Sequence, residues 1–370
     1  MRTVNTQSRV PQLDGIRGIA ILLVMLVNTS DKYPVLHLQP FVADGWMGVD
    51  LFFALSGFLI TGILLDTRSS PHYFRNFYAR RVLRILPLYY SVLVFMFVVV
   101  PLLRPADAHS IFERASPWWA FPLFLQNFLV ARSTNAAGPL GASWSLAIEE
   151  QFYLLWPVVV RYSPTKLLRH IAVLLILLSP PLTFYLSSQH ISIYSNVFCR
   201  QVGLMSGALL ALLLRSSDFT PAKYAKPAWV LFLVTLTLTF ASEASGTRWL
   251  TFSLVALAAS SFIFLALYSE QKLLQAGLRN RFLMYTGKIS YGLYLLHKIP
   301  ADLAQTLRLE RHPLLLLPFI FLASFVLAAL SWNFLEKPFL RLKRSFSSES
   351  LRPNSESRGI SGTEGTERIV

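Results

Sequence analysis

Residues 85–103, ILPLYYSVLVFMFVVVPLL, carry no charged side chain. About 20 apolar residues in helical form cross a ~30 Å hydrocarbon core. No water exists there to satisfy open backbone groups, so such a run must close its hydrogen bonds within itself as an α-helix. Comparable runs lie near residues 13–30, 46–65, 146–160, 170–187, 198–214, 227–242, 249–268, 287–303 and 313–333. Together they predict an all-α polytopic membrane protein with about ten transmembrane helices. Composition agrees, since only 14% of the residues are charged and 54% are hydrophobic, a balance that leaves a soluble domain too little charge for its surface. Pro180 and Pro181 are expected to kink or shorten the fifth span, and the seventh is a short apolar run.

Orientation follows from Lys and Arg. With a cytoplasmic N-terminus and ten alternating spans, most of the 34 basic residues fall on the cytoplasmic side: near the N-terminus, in the loops 66–84, 161–169, 215–226 and 270–288, and in the tail. The opposite orientation breaks the positive-inside rule, so both termini are expected in the cytoplasm. The net charge of +15 is then a consequence of topology rather than a nucleic-acid footprint, because no soluble domain gathers it into one patch.

The single cysteine, Cys199, excludes an intramolecular disulfide, and no Cys/His spacing suggests a metal site. The polar start, MRTVNTQSRVPQLDG, lacks an A-x-A cleavage pattern and reads as the lead-in to an uncleaved anchor. Residues 344–370, rich in Ser, Glu, Arg and Gly, read as a disordered cytoplasmic tail. The aromatic stretch 117–130, PWWAFPLFLQNFLV, is too short to span and is expected to lie as an interfacial or re-entrant helix.

Ionisable groups inside spans are costly and therefore functional candidates. Glu149 and Glu150 stand where the loop GASWS becomes an apolar helix. Asp14 and Arg17 are three residues apart on the first span and can pair. Asn28 lies eleven residues beyond Arg17, which returns it to nearly the same face ~16 Å higher. The predicted topology places Asn28, Asp50, Glu149 and His297 in an outer layer, suited to acid–base chemistry or sugar binding. Arg17, Arg80, Arg81 and Arg84 form an inner layer suited to an anion, because the guanidinium fork matches phosphate and keeps its charge. Anchoring to anionic lipid is the alternative account of Arg80, Arg81 and Arg84, and helix packing is the alternative for His297 and Asn28.

Five blocks together resemble the acyltransferase-3 family of integral membrane O-acyltransferases: LDGIRGIAILLVMLVN (13–28), GVDLFFALSGFLIT (48–61), FYARRVLRILPLYY (77–90), WSLAIEEQFYLLWP (144–157) and GKISYGLYLLH (287–297). LFLQNF (123–128) and FLEKPFLRLK (334–343) fit as well. The resemblance implies a transmembrane acyltransferase domain over residues 13–343, between a short cytoplasmic segment (1–12) and the tail. It also implies transfer of an acyl group, typically acetyl, from a cytoplasmic acyl-CoA to a carbohydrate or lipid-linked glycan at the outer face of the cell (inner) membrane. The family's RxxR falls on Arg81 and Arg84, its first-helix arginine on Arg17 and its WSLxxE glutamate on Glu149.

One position departs. The family's first helix usually carries a histidine eleven residues after the arginine, taken as the catalytic base, and here that residue is Asn28. An amide cannot serve as a base, although it can orient a hydroxyl. Glu149 is then the leading acid–base candidate, with Asp50 or His297 as substitutes and Asn28 and Asp50 positioning the acceptor. A non-catalytic descendant of the family and a transporter for lipid-linked sugars are the alternatives.

Overall fold

The computed structural model describes residues 10–105, 112, 117–130, 138–342 and 346. It is all-helical, with no strand among the described residues. Seven helical stretches in this set are long and apolar enough to cross a membrane: Pro11–Lys32, Ala43–Asp66, Tyr73–Leu103, Thr165–Ser188, Pro221–Ala244, Arg248–Tyr268 and Pro313–Leu342. The chain is an integral membrane protein. The expected tail, except Phe346, and residues 1–9 lie outside the described residues.

The principal helices are α1 (Pro11–Lys32), α2 (Met47–Asp66), α3 (Tyr73–Val94), α4 (Trp144–Tyr162), α5 (Thr165–Ser188), α6 (Val197–Leu213), α7 (Pro221–Ala244) and α8 (Arg248–Tyr268). They are followed by α9 (Lys272–Leu278), α10 (Arg281–Lys288), α11 (Ser290–Leu296), α12 (Lys298–Thr306) and α13 (Pro313–Ser331). A π-helical turn, Phe95–Val99, carries α3 on to Leu103, and a second, Trp332–Glu336, carries α13 on to Leu342.

The three remaining expected spans take other forms. The helix at 144–162 has the length to cross, but Glu149, Glu150 and Arg161 lower its mean hydropathy. Helix α6 is apolar but only 17 residues long. The expected span 287–303 is broken into α10, α11 and α12, with non-helical caps at Ile289 and an interruption at His297. Pro300 explains the second break: it has no N–H to give the Leu296 carbonyl one turn back. Pro180 and Pro181 do not shorten α5, which runs for 24 residues through both. The seventh span begins at Pro221, ahead of the apolar run, since proline is accepted where a helix starts.

Segment 117–130 is not one helix. It forms a 3-10 turn at Trp118–Ala120 and a short helix at Gln126–Val130, separated by Phe124 in the left-handed region (φ 55°). The Gln126 amide donates to the Ser143 carbonyl (2.9 Å) and to the Tyr89 hydroxyl (3.1 Å), and the Gln151 amide donates to the Phe124 carbonyl (2.8 Å). These bonds dock the segment on α3 and α4, with Trp118, Trp119 and Leu123 facing outward.

Helix α2 is the hub, packing most extensively against α6 and also against α1, α8 and α4. Lipid tails give apolar helices no reason to prefer one another, so close backbone approach must hold them. A Cβ added at Gly57 would lie 1.9 Å from the Leu204 carbonyl oxygen, and one at Gly207 would lie 1.9 Å from that of Ala54. Only glycine permits this contact. Helices α5 and α7 lie at the periphery, with residues such as Leu177 and Val230 exposed.

Candidate functional site

Helices α1, α2, α3, α4 and α11 enclose a cavity of about 400 Å³. Arg17 enters from α1, Ser56 from α2, Arg81 and Arg84 from α3, Ser145, Glu149 and Tyr153 from α4, and Tyr291 and Tyr294 from α11. On α4 the polar positions 145, 149 and 153 are four residues apart, so one helical face presents all three.

Glu149 accepts two side-chain hydrogen bonds in the cavity. The Ser56 hydroxyl donates to its Oε1 at 2.7 Å, and the Tyr153 hydroxyl lies 3.1 Å from its Oε2 and 3.1 Å from Ser56 Oγ. Hydrogen bonds to an ionised carboxylate are roughly twice as strong as neutral ones, so this pair of donors fixes the side chain. The Arg81 guanidinium lies over the rings of Tyr153 (5.7 Å) and Phe77 (5.8 Å), and its Nε is buried with no partner. Arg17 donates to Asp14 Oδ1 at 3.1 Å, the i,i+3 pair expected from the first span. Three guanidinium groups thus face two carboxylates, Asp14 and Glu149, across one partly apolar chamber.

The other candidates lie elsewhere. Arg80 turns away, its Nε donating to the Phe346 carbonyl at 2.8 Å. Asn28 does not line the cavity, and its amide donates back to the Val24 carbonyl of its own helix at 2.8 Å. Asp50 is fully buried against Arg200, with 2.9 Å between Oδ2 and Nη2. His297 is also buried. Its Nδ1 lies 2.8 Å from the Tyr294 carbonyl, and Nε2 has no partner. Glu149 meets Ser56, six residues along α2 from Asp50, or roughly 9 Å at the helical rise. It therefore shares a chamber with the arginines instead of lying level with Asp50.

Arg200 is the residue that sequence reasoning missed. Its guanidinium lies within 6 Å of the ring centres of Trp46, Phe53, Trp144, Tyr194 and Phe252, the nearest being Phe252 at 4.2 Å. As an arginine inside the apolar run 198–214, it carries the same signal as the glutamates. Ser56 and Tyr153 give no such signal, because a hydroxyl in a membrane helix is too common to stand out.

The family model described as an acyltransferase domain matches residues 10–333. Over 89% of its length the chain is 28% identical to the peptidoglycan O-acetyltransferase of Listeria monocytogenes and 30% identical to a putative peptidoglycan O-acetyltransferase of Bacillus subtilis, covering 55% and 54% of those proteins. It is 27% identical to a putative O-acetyltransferase of Staphylococcus aureus, with 89% of this chain and 57% of that protein aligned. The chain spans about half the length of these curated relatives. No solved structure matches it. A match that takes in α1 through α13, and with them every wall of the cavity, makes this chain a member of the acyltransferase-3 family.

Proposed function

We propose that the chain is an O-acetyltransferase of the cell (inner) membrane, moving an acetyl group from acetyl-CoA on the cytoplasmic side to a hydroxyl of a cell-envelope glycan. The observation that carries this is the single chamber holding Arg17, Arg81 and Arg84 together with a hydrogen-bonded Glu149. The guanidinium groups hold the donor's phosphates, for which their paired donors are suited. Glu149 is the one carboxylate of the chamber not paired with Arg17, and it takes the proton of the acceptor hydroxyl as that oxygen attacks the thioester carbonyl; the C–S bond then breaks and coenzyme A leaves as its thiol, taking that proton back from Glu149. The names of the relatives support peptidoglycan as the acceptor.

The topology that goes with this function has about ten spans, counting α4, α6 and the broken α10–α12 set, with both termini cytoplasmic, a reading that the Lys and Arg distribution supports. Helix breaks at membrane depth are tolerated where the backbone is buried in protein, as at His297.

Two measurements test the proposal. Muropeptide mass analysis should find an acetyl-sized increment that disappears in a deletion strain and returns with the wild-type gene. Acetyl-CoA binding should weaken in Arg81→Ala/Arg84→Ala, and equal affinity in that variant and wild type removes the donor assignment. One observation favours a non-catalytic descendant: Asn28 replaces the family histidine and its amide is turned back on Val24. If Asn28→His gains envelope acetylation that wild type lacks, the descendant reading replaces the enzyme.

A further inference from the structure

Two hydroxyls on the chamber wall have no part in the chemistry above, those of Ser145 and Tyr294. They are hydrogen-bonded to each other between α4 and α11. The Tyr294 hydroxyl also donates to the Ala142 carbonyl at 2.7 Å. A carbonyl only accepts and a phenol carries one proton, so that bond commits the Tyr294 proton to Ala142. The proton between the two hydroxyls is therefore the one on Ser145. In the opposite arrangement Ser145 would have to donate to the Ala142 carbonyl across 3.5 Å, beyond the range of a good O–H···O bond.

Ser145 Oγ is thereby left as an acceptor. Its proton is engaged by Tyr294, and among the described residues no donor is directed at its lone pairs. The residue is 5% exposed and lines the chamber. Its partner is fixed in turn. The Tyr294 ring meets Phe52, another wall residue, edge-on at 6.3 Å. Ala142 belongs to the 3-10 turn Gly138–Ser143, which the Gln126 amide fastens from the other side through the Ser143 carbonyl. The bundle therefore sets the direction of the Ser145 oxygen before any substrate arrives.

Ser145 stands one helical turn ahead of Glu149 on the same face of α4, a spacing that puts the two Cβ atoms ~5–6 Å apart. That turn is the one nearer the start of α4, the end that the topology above puts outside. A molecule entering from there meets two acceptors in succession, an oxygen that takes a hydrogen bond and a carboxylate that takes a proton. A sugar ring offers neighbouring hydroxyls along one edge and satisfies both, whereas an alcohol with a single hydroxyl does not. We propose that Ser145 is an acceptor-binding residue whose oxygen, oriented by Tyr294, takes a hydrogen bond from a second hydroxyl of the glycan, beside the one that Glu149 deprotonates. The inference rests on the transferase reading above.

The test is acetyl transfer by the full-length protein in vesicles, with acetyl-CoA as donor and a disaccharide muropeptide and its monodeoxy analogues as acceptor probes. Ser145→Ala removes one neutral hydrogen bond and should raise the acceptor KM by roughly 10-fold. The acetyl-CoA KM and kcat at saturating acceptor should be retained, a split that a general loosening of the bundle would not produce. One monodeoxy analogue should lose the same factor with wild type and nothing further with Ser145→Ala, because the two changes delete the same bond. Tyr294→Phe frees the Ser145 proton and should raise the acceptor KM by a smaller factor, with no added effect on top of Ser145→Ala. A wild-type acceptor KM in Ser145→Ala, or analogues that all lose as much with that variant as with wild type, overturns the proposal while leaving the transferase standing. No acetyl transfer to the muropeptide by wild type overturns both.

Discussion

Replacing Glu149 by Gln separates the chemical from the structural work of this side chain. Its two oxygens accept from Ser56 at 2.7 Å and from Tyr153 at 3.1 Å. A glutamine in the same rotamer keeps one acceptor for Ser56 and turns its amide toward the Tyr153 oxygen, so both contacts have a neutral replacement. Each charge-assisted bond exceeds a neutral one by about 1 kcal/mol, so the two together cost ~2 kcal/mol. Removing a carboxylate from a low-dielectric chamber offsets part of that. Stability should therefore change by no more than ~2 kcal/mol, whereas loss of a general base lowers the rate by ~10²–10⁴. The assay is acetyl transfer from acetyl-CoA by protein reconstituted in vesicles, with the thermal midpoint in detergent measured alongside. Wild-type turnover by a normally folded Glu149→Gln would refute Glu149 as the base.

Glu150→Gln should be milder in the same assay, because residue 150 points ~100° away from the cavity face of α4; a rate loss equal to that of Glu149→Gln would contradict this. Gly207→Val brings side-chain carbons against the Ala54 carbonyl, where even a Cβ meets it at 1.9 Å. The backbones must separate, so a loss of ~3 kcal/mol or more is expected in the thermal midpoint or the yield of folded protein. Asp50→Ala leaves Arg200 buried without a counter-charge and should cost ~3–5 kcal/mol. Asp50→Leu/Arg200→Met should recover most of that loss, since methionine suits a pocket of aromatic rings; a double variant as unstable as Asp50→Ala would show that the pair is not what the pocket requires.

The long uncharged runs were legible because lipid leaves a helix as their only solution, and one bilayer length is easy to count. The forms of α4, α6 and α10–α12 were harder to read. A helix that buries glutamates against partners, one too short to span alone, and one interrupted by Pro300 all owe their shape to neighbours in space. The arginine group and Glu149 could be named from the sequence as separate layers, yet their common chamber depends on where α3 and α4 meet α2, and only the packed bundle fixes that. The Asp50–Arg200 pair illustrates the same limit, since its members lie 150 residues apart and their pairing leaves no periodic trace.

That pair also bears on how the protein enters the bilayer. As an isolated segment, α6 offers 17 residues and an unpaired arginine, which the insertion machinery penalises by up to ~3 kcal/mol. The partner that cancels the penalty sits on α2, synthesised well before. Helix α6 is therefore expected to insert poorly when presented alone in a membrane-integration assay, and efficiently once the earlier helices, with Asp50 intact, are already in place. On that account the order of synthesis is part of the fold: the acid waits in the membrane for the base.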